Sequence, residues 1–134
     1  MTEKDSALFN DSLERCMGRS GFLDCFYDHF LASAAEVAEK LKHTNSHKQK
    51  GGLKVSLYMM MLAAGGKAEA YAHLERIATR HSRNGLDIRP ELYDLWLDCM
   101  VQAVKEFDPL FTSETERVWR SMLKPGVEFM RLKY

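Results

Sequence analysis

The chain is short of the features that would place it in most functional classes. It has three cysteines in 134 residues, Cys16, Cys25 and Cys99, and no CxxC pair. An odd number cannot all pair within one chain, so disulfide scaffolds and cysteine-rich zinc folds are excluded, and a reducing, cytoplasmic setting is expected. It has no net charge: nineteen basic residues balance nineteen acidic ones. No single-sign field is available for bulk binding to nucleic acid or to an anionic membrane. The longest apolar run, residues 57–64, is far below the ~20 residues of a membrane span, and the opening MTEKDSALFN has no apolar stretch suited to a signal peptide. GxxxxGK[ST], HExxH and GxSxG are all missing. Prolines number three, and no NG or DG lies between alternating apolar runs, so a sheet has little support. There is no internal repeat and no low-complexity tract.

What remains is helical periodicity. The size fits one domain, residues 1–134, with a folded surface of roughly 7,000 Å². A first helix is expected over residues 3–17, with Leu8, Leu13, Cys16 and Met17 apolar. Gly18 and Gly21 bracket a turn. Phe22, Phe26 and Phe30 then recur at i, i+4, i+8, which predicts a helix over 21–32 with a wide apolar face. A short helix follows over 34–41, then the polar stretch KHTNSHKQK. Ser46 and Gln49 have capping-box spacing, which opens a helix running to about Ala64 and burying Leu53, Leu57, Met60 and Met61. Gly65-Gly66 ends it. Residues 67–81 carry Leu74, Ile77 and His81 on one face. Asn84-Gly85 and the corner 86–89 follow. Pro90 fits the first turn of the next helix, to Phe107. A last helix is predicted from Ser113, with a capping box to Glu116, to Leu132, loosened or kinked at Pro125. The fold class is therefore all-α.

The histidines divide into two groups. His29, His43, His47 and His73 lie in polar surroundings and read as solvated. His81 ends an amphipathic helix on the same face as Leu74 and Ile77. Two readings stay open for it. As a residue of the last turn, its charge complements the helix dipole. As a neutral imidazole held over an apolar plate, it is an axial metal ligand.

Taken in order and spacing, several segments resemble the bacterial single-domain globins, which have a three-over-three helical sandwich. FYDHFLASAAEVAEKL (26–41) is similar to their second and third helices. LKHTNSHKQKGGLKVSL (41–57) looks like the corner and the start of the distal helix. LERIATRHSRNGLDI (74–88) looks like the proximal helix, its histidine and the following corner, and LYDLWLDCMVQAVKEFDP and ERVWRSMLKPGVEFM look like the last two long helices.

The resemblance implies a haem b protein that binds a diatomic gas (O₂, NO or CO) with His81 as the iron ligand. It places Tyr27 at the distal tyrosine, Gln49 near the distal polar position with Lys50 and His47 as alternatives, and Leu53 on the apolar distal wall. Ile77 falls beneath the ring, and Leu86 and Ile88 at the haem edge. Leu41 stands where globins usually carry phenylalanine. Leu57, Leu92, Leu95 and the methionines 59–61 are available as further lining, although Met equally fills ordinary core gaps. Tyr27 and Gln49 also have plain roles, as a core aromatic and a cap. The second nitrogen of His81 is expected to bond the carbonyl near Ile77. Tyr93, with Glu128, is the alternative seen where globins resemble enzymes. Arg83, Arg89, Lys50 and His43 are candidate propionate partners.

Catalysis such as NO dioxygenation would need a separate reductase, because the chain shows no flavin or nicotinamide module. A globin-fold regulatory module without haem is the alternative function, favoured by Leu41. A monomer or a homodimer through the last two helices is expected, with Trp119 or Phe111 exposed.

Overall fold

The structure is a computed structural model describing residues 2–134, with only the backbone described for Ser46. Seven helices and no strand occur among the described residues: α1 (Glu3–Met17), α2 (Phe22–Ser33), α3 (Ala35–Leu41), α4 (Ser46–Ala64), α5 (Ala68–His81), α6 (Glu91–Phe107) and α7 (Ser113–Leu132). None is long and apolar enough to cross a membrane.

Helices α1, α4 and α5 cross over α2, α6 and α7. Within the layers, α4 packs on α5, α2 on α6 and α6 on α7; between them, α1, α4 and α5 all rest on α7. The predicted three-over-three sandwich is present. The folded surface is 7631 Å², close to the size expectation.

Periodicity identified the buried faces with two corrections. Leu8 is exposed and Phe9 is buried in its place, because α1 is rotated to bring Phe9 onto the Trp119 ring, 4.6 Å between centroids. Trp119 is fully buried rather than exposed, and its indole Nε1–H donates to Ser12 Oγ at 2.9 Å. Ser12 in turn donates to the buried Asp108 carboxylate at 2.6 Å, which also receives two N–H bonds from Arg15. A polar chain thus ties α1 to α7 and to the α6–α7 corner through the core.

Both helices are capped one residue earlier than predicted, α4 by a single side-chain bond and α7 in a box. Asn45, not Ser46, is the N-cap of α4, its side chain accepting from Lys48 N–H at 3.0 Å; the side chain of Ser46 lies outside the described residues. Thr112, not Ser113, caps α7 in a box with Thr115. Neighbouring cap-forming residues compete, and the one with extended backbone wins.

Gly51 and Gly52 lie inside an unbroken α4, and α7 stays helical through Pro125 to Leu132. The next residue, Gly126, is buried. A Cβ there would come within 2.8 Å of Met60, so its absence permits the close crossing of α4 and α7.

Candidate functional site

A cavity of about 820 Å³ opens among α2, α3, α4, α5, α6 and α7, within the size range of small-molecule and cofactor sites. Its walls are mostly apolar. Leu53 comes from α4, Leu74 and Ile77 from α5, Leu92 and Trp96 from α6, and Val127 from α7.

The corner after α5 is folded tightly back on that helix. Leu86 N–H donates to Arg80 O at 2.8 Å and Ile88 N–H to His81 O at 2.9 Å. Gly85 is required there, since a Cβ would lie 2.3 Å from Arg80 O. This folding brings both Leu86 and Ile88 to the cavity, the exposed Leu86 at its rim.

His81 lines the cavity from the end of α5. Its Nδ1 lies 2.7 Å from Ile77 O, one turn earlier. A carbonyl only accepts, so Nδ1 carries the proton and donates, and Nε2 keeps its lone pair. Burial lowers the His81 pKa, the Ile77 bond raises it less, and Arg80 lowers it again. The ring is therefore neutral at physiological pH, the form that binds metal. The dipole reading, which needs a charged ring, does not suit this setting.

Two polar side chains stand elsewhere on the wall. Tyr27 of α2 donates its hydroxyl to the Gln49 backbone carbonyl at 3.4 Å, a long and weak bond, and burial pushes its pKa up, so it stays a protonated donor. Gln49 lines the wall from the first turns of α4, with its side-chain amide 3.0 Å from Thr44 Oγ1. The plain cap role read for Gln49 is not used, because Asn45 performs it.

The structure brings together Tyr27, Leu41, Gln49, Leu53, Ile77, His81, Leu86, Ile88 and Tyr93 around this one cavity. Lys50 and Leu57 do not line it. One residue beyond Gln49, Lys50 is turned about 100° around the helix, and its Nζ pairs with Asp24 at 2.8 Å. Leu57 is fully buried in the core beneath. Among the other lining candidates Met60 and Leu92 reach the wall, whereas Met59, Met61 and Leu95 do not.

His47 is exposed and off the wall. Tyr93 makes no contact with His81 Nδ1, which Ile77 occupies; burial pushes the Tyr93 hydroxyl up to about 12, with Arg131 pulling it slightly back. Glu128 is exposed. Of the propionate candidates, Arg89 pairs with Glu36, Arg83 lies over the Tyr134 ring, and His43 is exposed; none of these, nor Lys50, lines the cavity.

Sequence reasoning missed the cations and the histidine that do. Lys40, Lys48 and Arg80 stand at the cavity, and Lys40 Nζ donates to Leu86 O at 3.0 Å. His73 is on the wall instead of in solvent, and its buried Nε2 has no hydrogen-bond partner among the described residues. Its i, i+4 relation to Ile77 was the available signal.

These donors fit an apolar disc with a metal at its centre and carboxylates on one edge. The walls are mostly apolar, His81 offers an imidazole nitrogen, and Lys40, Lys48, Arg80 and His73 line the same cavity.

Among solved structures, the chain is similar to the crystal structure of a Pseudomonas aeruginosa PAO1 protein described as structurally highly homologous to a human hemoglobin. The two are 36% identical over 97% of this chain and 98% of the other, with a TM-score of 0.92. No family model matches the chain, and no curated protein does.

Proposed function

Because this chain belongs to the globin family, we propose that it holds haem b in the α4–α5–α6 cavity through His81 and binds a diatomic gas reversibly. The observation that carries this reading is the state of His81. Its Nδ1 donates to Ile77 O, burial favours the neutral ring, and Nε2 keeps its lone pair on a residue that lines a mostly apolar cavity. When bound, haem would supply an iron able to take up O₂, NO or CO.

The chain's own residues set how such a ligand is held. The Ile77 carbonyl fixes the His81 tautomer and ring orientation and raises its basicity only moderately, since a neutral carbonyl pulls less on the proton than a carboxylate does. Tyr27 and Gln49 are the hydrogen-bond donors for a gas carrying partial negative charge. The long Tyr27 bond to Gln49 O leaves that hydroxyl free to turn toward the cavity. Leu41, Leu53, Ile77, Ile88 and Leu92 exclude water. Lys48, Arg80 and His73 would meet the carboxylates. Reversible gas binding fits this set better than turnover, and NO dioxygenation would require electrons from a separate reductase.

The test is the absorption spectrum of the purified chain after haem addition, oxidised, reduced and CO-bound. A Soret band that shifts on reduction and again with CO is expected. No Soret band after reconstitution overturns the proposal in favour of the haem-free module.

A further inference from the structure

On the side of α2 away from Tyr27, Cys25 and His29 are one turn apart and face the end of α6. Among the described residues, Cys25 Sγ, His29 Nε2 and a Glu106 carboxylate oxygen all lie within 4.8 Å of one another. His29 Nε2 is 2.5 Å from Glu106 Oε2, and Cys25 Sγ is 3.4 Å from the same oxygen. The geometry points to a second metal site, a Cys25–His29–Glu106 zinc site that bridges α2 and α6 outside the haem cavity.

The donor types favour this ion. A thiolate, an imidazole and a carboxylate together suit borderline Zn²⁺ rather than Ca²⁺ or Mg²⁺, which prefer oxygen. Tetrahedral zinc separates its ligand atoms by roughly 3.4–3.6 Å. The sulfur–oxygen distance of 3.4 Å is already there. The imidazole–carboxylate pair must open by about 1 Å to reach that spacing, which is feasible because His29 is 36% and Glu106 44% exposed. The same exposure leaves the fourth position to water. The two helices supplying the ligands pack closely on each other, through Phe22, one turn before Cys25, and Phe107, the residue after Glu106, so the backbone is held in place before any ion arrives. Burial and the neighbouring Glu106 carboxylate push the free Cys25 thiol up to about 11; a cation bound to the sulfur opposes both by favouring the thiolate. On binding, Cys25 releases its thiol proton to solvent, and His29 binds through Nε2 as the tautomer that carries its proton on Nδ1, giving up its hydrogen bond to Glu106.

The test uses the full chain with Co²⁺ alone as the optical probe and Zn²⁺ alone as the competitor. One equivalent of Co²⁺ is expected to give a thiolate-to-cobalt charge-transfer band that Zn²⁺ abolishes. Cys25→Ser, nearly isosteric, should lose the band. His29→Gln and Glu106→Gln should each weaken binding about tenfold or more. Zn²⁺ should raise the Tm of the wild type and leave that of Cys25→Ser unchanged. Absence of a saturable band, or a band that persists in Cys25→Ser, overturns the site. Unchanged affinity in both His29→Gln and Glu106→Gln overturns it as well. The haem reading does not enter any of these outcomes.

Discussion

Replacing Asp108 tests whether the buried polar chain holds the sandwich together independently of the cavity. Asp108 is 3% exposed and accepts from Ser12 Oγ at 2.6 Å, Arg15 Nε at 2.7 Å, Arg15 Nη2 at 3.0 Å and Leu110 N at 2.9 Å. In Asp108→Ala, Ser12 is fully buried and loses its acceptor, at a cost of about 1–3 kcal/mol. The Arg15 side chain is 32% exposed and can turn to water, so its loss adds only about 1 kcal/mol. Leu110 is exposed and recovers its bond from solvent. The expected destabilisation is about 3 kcal/mol, at the low end for breaking a buried pair. Asp108→Asn keeps the shape and should cost about 2 kcal/mol.

Urea unfolding followed by circular dichroism measures both. The midpoint should fall with the slope unchanged. Acid supplies a second reading. Burial pushes the Asp108 pKa up, but the Arg15 guanidinium, the Ser12 hydroxyl and the Leu110 N–H together bring it below the ordinary 3.8. A carboxyl lowered in the folded state stabilises above its unfolded pKa, and this is lost as pH falls through the folded value. The gap between wild type and Asp108→Asn should therefore be full at pH 7 and shrink below pH 3.8. A loss under about 0.5 kcal/mol at pH 7, or a gap that widens in acid, refutes the reasoning.

Tyr27→Phe and Gln49→Leu each remove a donor from the cavity wall and should speed O₂ dissociation about tenfold, the equivalent of one hydrogen bond; stopped-flow displacement by CO reads the rate, and unchanged rates in both variants remove these residues from that role. Gly51 is exposed inside α4, and a Cβ added there would meet nothing within 4 Å, so Gly51→Ala should stabilise by about 1 kcal/mol, seen as a higher urea midpoint; a loss of stability would mean that this turn is not helical in solution.

Much of this fold is legible in the chain because glycines and prolines punctuate it and the apolar period between them is 3.6. Leu74, Ile77 and His81 share one face of α5 at i, i+3, i+7 spacing, and all three reach the cavity. The errors have physical causes. Asn45 and Ser46, or Thr112 and Ser113, are neighbouring cap formers, and local preference cannot choose between them. Lys48 and Lys50 look alike in sequence, and only the rotation of α4 sends one to the cavity and the other to Asp24. His73 stands between Ala72 and Leu74, one turn before Ile77, yet one polar side chain on an amphipathic helix does not say which way it turns, and only the packing puts it at the cavity. Trp119 reads as a candidate for exposure until Ser12, distant in sequence, satisfies its indole. Pairings that close across the sandwich leave no local trace.

The central claim concerns one nitrogen, His81 Nε2. The most direct measurement is the reduced absorption spectrum of haem-reconstituted His81→Ala beside wild type, with free imidazole added back. Wild type should show five-coordinate ferrous haem that binds CO. The variant should lose that spectrum and regain it with imidazole. A variant whose spectrum matches wild type without imidazole would contradict the assignment of His81 as the ligand.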